Sequence, residues 1–286
     1  MIVYSIIFCF LSILTSLHGN EFLIIEMQYN YNLGMFAAAN QVLGQLYLFE
    51  TGQLPHISGL SIDFGKYGLY YDPSYGPNWW TYYFEPICLG EMKNATLVYL
   101  TKEQGIKAWL QRRLMSRKIA AEMIRKYIRI NSHIQQKVDA FVAEYFLGYY
   151  VIGIHYRGTD KNKEAPRLAY ETVFEEVEKH IPQEKPYFLF IATDEVDFLE
   201  QAKIRYLNRV VALEAHRSSS GDLGIHFENR NNYALGEEAL MDACLLSRCN
   251  LLIRTSSNLS LWSTYFNGDL PVVLLNQRYA QTLEPE

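Results

Sequence analysis

The stretch YYVIGIHYRGTDK, residues 149–161, decides how the rest of the chain is read. Tyr149–Tyr156 is β-branched and aromatic around one glycine, and its apolar residues do not alternate with polar ones. That is the pattern of a strand buried on both faces of a parallel sheet. The run then turns polar, with His155, Arg157, Thr159, Asp160 and Lys161 gathered at its end. Two more stretches have the same form. YFLFIATDE, residues 187–195, closes on Thr193, Asp194 and Glu195, and NLLIRTSSN, residues 250–258, closes on Thr255, Ser256, Ser257 and Asn258. Between and after them, helices are expected at Tyr170–His180, Val196–Tyr206, Tyr233–Ser247 and Leu259–Phe266, with short strands at Val210–Leu213 and Val272–Leu275. Strands alternating with helices predict a parallel sheet covered on both faces. Ligands of such sheets sit at the carboxyl ends of the strands, where these polar clusters fall.

Working outward, Glu21–Met27 reads as a buried strand and Met35–Glu50 as a helix stopped by Gly52, with the turn-prone link Asn30–Gly34 between them. Strand, glycine-bearing loop and helix open a second α/β unit. Pro55–Pro86 reads as loop, rich in aromatics, with a short helix possible at Trp79–Phe84 that belongs to the core. Ala108–Phe146 reads as mostly helical, broken near Asn131 and Ser132. The expected organisation is an export segment at 1–19, an N-terminal α/β domain with a closing helical segment at 20–146, and a C-terminal ligand-binding domain at 147–286. A length of 286 residues suits two domains at roughly 150 residues each.

The composition is that of a folded globular protein, 49% apolar and 20% charged. A net charge of -5 without broad basic clustering argues against a nucleic-acid partner. One basic run, Arg112–Arg129, alternates with apolar residues at helical spacing and reads as a solvated helix face, with contact to an anionic ligand as the sharper alternative. The apolar run Met1–Leu17 has the length of a signal-peptide core, with small residues from Ser16 to Gly19, although no Lys or Arg precedes Lys66. It predicts entry into the secretory pathway, to a lumen or periplasm, by a cleaved signal or a membrane anchor. Four cysteines include Cys9, and the remaining Cys88, Cys244 and Cys249 make no complete disulfide set. No spacing suits zinc, and no Asp-X-Asp metal motif occurs. Asn94-Ala95-Thr96 and Asn258-Leu259-Ser260 match the weak glycosylation pattern.

The three strand-end clusters carry the chemistry. Arg157 can fork onto two phosphate oxygens, and Lys161 adds a mobile positive charge. Ser256 and Ser257 precede a helix whose N-terminal amides favour phosphate, and the loop at Gly34 and Met35 can offer backbone N–H donors. A phosphorylated ligand follows, and a nucleotide fits best. No Walker lysine loop and no dinucleotide glycine repeat is present, which weighs against kinases and dehydrogenases. Taken alone, Arg157 and Asp160 would read as a surface ion pair and His155 as a satisfied core histidine. Three clusters at three strand ends make those readings the weaker ones.

Ile154–Lys161 resembles the donor-binding motif of the α-1,6-fucosyltransferases, in the superfamily that also holds α-1,2- and protein O-fucosyltransferases. Phe190–Glu195 is similar to the second motif, and Asp242–Ser247 followed by Thr255–Ser257 to the third, in the same order. The likeness covers about Val151–Leu275, and Gly34–Gln41 is more weakly similar to the family's N-terminal loop and helix. The resemblance implies a two-domain GT-B fold, inverting transfer of fucose from GDP-fucose to a glycan or protein hydroxyl, no cofactor and no metal. It implies Arg157 on the β-phosphate, His155 and Asp242 on the guanine, Ser256 and Ser257 on phosphate, and Asp194 ordering the site. Arg157, Lys161, Asp160 and Glu164 would be the catalytic group, with Glu164 as the base although one residue closer than in the motif. The motif's second arginine is Gly158 here. A transferase using another sugar nucleotide, and a silent glycan-binding relative, are the alternatives. For the export segment, N-terminal sequencing of protein from its native host should find Met1–Leu17 removed, and an intact Met1 on cytosolic material would refute that expectation.

Overall fold

The computed structural model describes residues 21–26, 33–54, 57–66, 68–92, 95–99, 114–158, 165–215, 217–218 and 232–277. The expected export segment, the sequon residue Asn94, and the site residues Asp160, Lys161 and Glu164 lie outside the described residues.

Two sheets organise the chain. In the first, β1 (Glu21–Glu26) pairs in parallel with β2 (Ile57–Asp63) on one side and β4 (Ala95–Tyr99) on the other, and β3 (Ile87–Leu89) runs antiparallel along β2. Helix α1 (Met35–Glu50) follows β1 with the bounds expected from its sequence. Its small residues Ala38 and Ala39 are buried, and so are Asn40, Gln41 and Gln45 from its other sides. A helix apolar over most of its circumference belongs inside a protein.

Part of the expected loop at Pro55–Pro86 is strand β2. Ser58, Gly59 and Ser61 read as turn residues, yet Leu60 and Ile62 alternate into the core and the backbone pairs with β1. Tertiary pairing overrides weak local propensity here. The aromatic run is core as expected, with Trp79, Trp80, Tyr83 and Phe84 buried around helix α2 (Trp80–Tyr83). The long helical segment divides into α3 (Arg117–Tyr127), α4 (Ser132–Phe141) and a π turn (Val142–Phe146). Its break falls at Ile128–Asn131, because Ile130 bridges to Phe84 and the Asn131 N–H donates to the Tyr83 carbonyl at 2.9 Å.

Among the described residues the second sheet is wholly parallel. Its strands are β5 (Tyr150–Tyr156), β6 (Tyr187–Thr193), β7 (Val210–Val211), β8 (Leu251–Arg254) and β9 (Val272–Leu274), in the order β7-β6-β5-β8-β9. Helices α5 (Tyr170–His180) and α6 (Val196–Tyr206) cover one face through Val173, Phe174, Val177 and Phe198. Helices α7 (Asn232–Ser247) and α8 (Asn258–Phe266) belong to the larger core, which also takes in the first sheet, α1 and α3. Gly153 allows α7 to come close. A Cβ there would lie 2.8 Å from Cys249 Sγ and 3.0 Å from Leu246 Cδ2, closer than real side chains pack.

Polar ties join the halves. Trp262 Nε1 donates to Asn40 Oδ1 at 2.7 Å, and Asn40 Nδ2 donates to Asn258 Oδ1 at 3.3 Å. Arg117 donates to the carbonyls of Thr264, Asn267 and Leu270 at 3.1, 2.9 and 2.6 Å, so this member of the basic run closes the end of α8 rather than facing solvent. Lys126 pairs with Glu50. In the second sequon Ser260 is wholly buried and the acceptor Asn258 is partly buried, its Oδ1 taken up by Asn40 Nδ2. Cys88, Cys244 and Cys249 are free. Among the described residues no helix is long and apolar enough to cross a membrane. Replacing Asn40 by Leu keeps the volume but orphans the Trp262 N–H in the core. An unmade buried hydrogen bond costs about 1–3 kcal/mol, so the urea midpoint of Asn40→Leu should fall with m unchanged. An unchanged midpoint would show that Asn40 does not tie the halves.

Candidate active site

The strand order of the second sheet reverses at β5, between β6 on one side and β8 on the other. The gap above such a reversal is where open α/β sheets hold ligands. The register sets what meets there. His155 lies beside Ala192 on β6 and Arg254 on β8, and Tyr156 beside Thr193. Beyond the last paired residues the chain ends are tied together. The Thr255 N–H donates to the His155 carbonyl at 2.9 Å, and the Arg157 N–H to Thr255 Oγ1 at 3.0 Å. Arg157 Nε lies 3.5 Å from Asp194 Oδ2, while Asp194 Oδ1 accepts from the Gly158 N–H at 3.3 Å.

A pocket of about 70 Å³ opens at this place, between the ends of β5 and β6 and the middle of α7. His155, Arg157, Asp194 and Asp242 line it, together with Leu235, Glu238 and Leu259. Four of the residues expected in the donor site are thus brought together. Ser256 and Ser257 form the adjoining turn. The Ser256 N–H donates to Asn276 Oδ1 at 2.7 Å, and Ser257 Oγ caps α8 by accepting the Leu259 N–H at 3.3 Å. Gly34 and Met35 stand at the N-terminus of α1, the helix joined to α8 through Asn40 and Asn258. The Met35 N–H is donated to the Tyr70 hydroxyl at 3.0 Å.

Among the described residues, the buried His155 Nδ1, Asp242 Oδ1 and Ser256 Oγ have no hydrogen-bond partner. Proteins rarely leave such atoms unsatisfied, and a cluster of them marks a place built for something else to fill. Burial, with Arg157 and Arg254 nearby, pushes the His155 pKa down to about 3, so the ring is a neutral hydrogen-bonding group. Burial raises Asp242 to about 7, with Arg217 opposing and Glu238 adding to the shift. The pocket therefore offers a neutral imidazole and a carboxyl group able to accept N–H donors. A guanidinium stands beside them. Among the described residues no group of His, Cys, Asp or Glu could hold a metal ion.

Sequence reasoning missed several contributors. Tyr70 fell in the stretch read as loop. Arg254 was read only as the end of a strand, yet it is buried and donates to Ser257 O at 3.4 Å and Ser260 Oγ at 3.1 Å, bracing the turn beneath the serines. A charged residue closing an apolar strand was the available signal. Arg217, folded onto the carbonyls of Leu213 and Ala215, left no pattern to find.

Two α/β sheets, with a polar pocket at the switch point of the second, make this a GT-B-type protein. The comparisons agree with that class. The family model for Nodulation protein Z (NodZ) matches residues 114–274, more than half of the chain, and the chain belongs to that family. It is 29% identical over 163 residues to Nodulation protein Z of Sinorhizobium fredii, a match that takes in 51% of this chain and 48% of the relative. The chain thus spans about half the length of that relative. Its fold is similar to a NodZ α-1,6-fucosyltransferase soaked with GDP-fucose, with a TM-score of 0.56 and 18% identity over 92% of this chain and 97% of that one. It is also similar to Arabidopsis thaliana FUT1 in complex with GDP, with a TM-score of 0.55 and 12% identity over 96% of this chain and 76% of that one.

The raised Asp242 pKa has a consequence for stability. The native state holds this proton more tightly than the unfolded chain, whose carboxyl has the ordinary value near 3.8. The contribution of Asp242 is complete below that value, is lost as pH climbs towards about 7, and stays lost above it. Asp242→Asn should therefore melt higher than the wild type at pH 8, by roughly 2–4 °C for each kcal/mol relieved, and alike at pH 4. A scanning calorimetry difference that is the same at both pH values would refute the assignment.

Proposed function

We propose that this protein transfers fucose from GDP-fucose to a hydroxyl group of a glycan or protein, with inversion and without a metal. One observation carries the reading: the unpartnered atoms of His155 and Asp242 share a pocket with Arg157 at the switch point. An ionised Asp242 suits the two adjacent N–H donors of guanine, and the neutral His155 ring adds a third contact. Arg157, held at its backbone by Thr255 and at its side chain by Asp194, stands ready for the diphosphate. Membership of the NodZ family and likeness in fold to a protein soaked with GDP-fucose support the same donor.

In this mechanism the acceptor oxygen attacks the anomeric carbon as GDP departs. Arg157 and Lys161 stabilise the charge that grows on the leaving diphosphate, a preorganised electrostatic effect. Glu164 takes the hydroxyl proton. The turn at Ser256 and Ser257, with the N-terminus of α8 behind it, adds donors for phosphate. The serines and the helix end are held from below by Arg254. We place the reaction in a lumen or periplasm, on the strength of the apolar segment Met1–Leu17.

The donor assignment makes a direct expectation. GDP should raise the melting temperature and bind more tightly at pH 8 than at pH 6, because Asp242 must be ionised to accept guanine. UDP and CMP should not stabilise the protein, and equal stabilisation by all three would sink the reading. Transfer should survive EDTA. The roles of two residues separate kinetically. Arg157→Ala should weaken GDP binding and turnover together, with Arg157→Lys a poor rescue because a lysine lacks the forked geometry. Glu164→Gln should spare GDP affinity and cut turnover by ~10²-fold or more, the range for a lost general base. Full turnover in Glu164→Gln would place the base elsewhere.

A further inference from the structure

Just outside the donor pocket, on the face of the second sheet covered by α5 and α6, Glu195 is buried to 3% exposure at the end of β6. Its carboxylate has cationic and phenolic company. Arg167 Nη2 lies 3.0 Å from Oε1 and donates to Oε2 at 3.1 Å, and the Tyr170 hydroxyl also donates to Oε2. Both partners come from the stretch that enters α5. Burial raises the Glu195 pKa all the same.

The other side of the carboxylate rests on Gly158. A Cβ built there would overlap Glu195 Oε1 and would lie 2.7 Å from Tyr156 Cε1. The φ of Gly158 is not in the left-handed region, so the backbone alone would accept any residue. The Glu195 carboxylate, the nearer obstacle, and the Tyr156 ring behind it exclude a side chain, including the second arginine of the motif that Ile154–Lys161 resembles. Gly158 is also bonded to Asp194 and directly follows Arg157. The adjacent acids of β6 thus divide the work. Asp194 holds the Arg157 side chain and the Gly158 N–H, and Glu195 fills the space above Gly158 while gripping Arg167 and Tyr170.

We propose that Glu195 is a positioning residue of the donor site, whose carboxylate bars a side chain at position 158 and braces the backbone from which Arg157 reaches the diphosphate. The proposal rests on the donor reading above. Its energetic logic is that of any preorganised site. A guanidinium displaced by about an ångström loses its forked contact, and misplacements of that size cost up to ~10²-fold.

The test is a double-mutant cycle with Gly158→Ala, Glu195→Ala and both together, read by thermal unfolding and by GDP titration well below every melting temperature. Gly158→Ala alone should lower the melting temperature and weaken GDP binding about tenfold or more, because the methyl group must displace the carboxylate. Glu195→Ala should also weaken GDP binding. On the Glu195→Ala background the nearest obstacle is gone and the Tyr156 ring can shift into the vacated space, so adding Gly158→Ala should change the Kd less than about twofold. Penalties that multiply in the Kd cycle would overturn the proposal. So would a lowered melting temperature with an unchanged Kd, which is what a merely structural role gives. A wild-type chain that binds no GDP would overturn the donor reading and this proposal with it, while wild-type binding without coupling in the cycle would overturn this proposal alone.

Discussion

The register of β5 between its two neighbours is the constraint on which the site depends. Strand β5 pairs with β6 from Tyr150 to Tyr156 and with β8 from Ile152 to His155. Because side chains alternate, a slip by one residue would carry His155 and Arg157 to the α5–α6 face and bring Tyr156 to the pocket. The apolar content of the strands forbids such a slip. Ile152, Ile154 and Tyr156 fill one core, and Val151 belongs to the other. The polar residues keep their places because the apolar ones leave no alternative.

Position along the strands is thereby fixed, but the first sheet must also be held against the second. The larger core does most of this, and its polar ties decide the geometry. Asn40 receives the indole N–H of Trp262 and gives its own to Asn258, so the side of α1 and the start of α8 are fixed to each other. At the far end of α8, the three carbonyls taken up by Arg117 anchor α3. At the edge, Tyr83 donates to the Tyr233 carbonyl at 3.0 Å, and Tyr75 stacks on Tyr233 with ring centroids 4.1 Å apart. A helix clasped at both ends cannot tilt without breaking bonds, one of which, Trp262 to Asn40, is wholly buried.

Much of this was legible in the sequence where one physical signal dominates. The runs at 149–156 and 187–193 have no reading other than buried strand, and their polar ends mark the pocket by the logic of parallel sheets. The amphipathic α5 and α6 showed their bounds for the same reason. The first sheet was harder. Strand β2 is made of serine, glycine and isolated aliphatics, whose strand character comes from pairing with β1 rather than from propensity. Among the expected site residues, His155, Arg157, Asp194 and Asp242 could be placed together from sequence because they sit on regular elements or directly after them. Tyr70 and Arg217 act from irregular chain, where no period announces the direction of a side chain. Arg117 shows the converse hazard. Its spacing looked like a solvated helix face, and only the arrival of α8 gives it buried work.

The polar atoms that face the pocket also bear on how long the protein lasts in a cell. A molecule that satisfies His155 Nδ1, Asp242 Oδ1 and Ser256 Oγ binds the native chain and not the unfolded one. Such a ligand at a hundred times its Kd adds about 2.7 kcal/mol to stability. Proteases act on transiently unfolded chains, so that increment lowers their supply roughly a hundredfold. On the proposed reading of the pocket, the abundance of this protein follows the supply of its ligand: chains made when the ligand is scarce are the ones most readily destroyed.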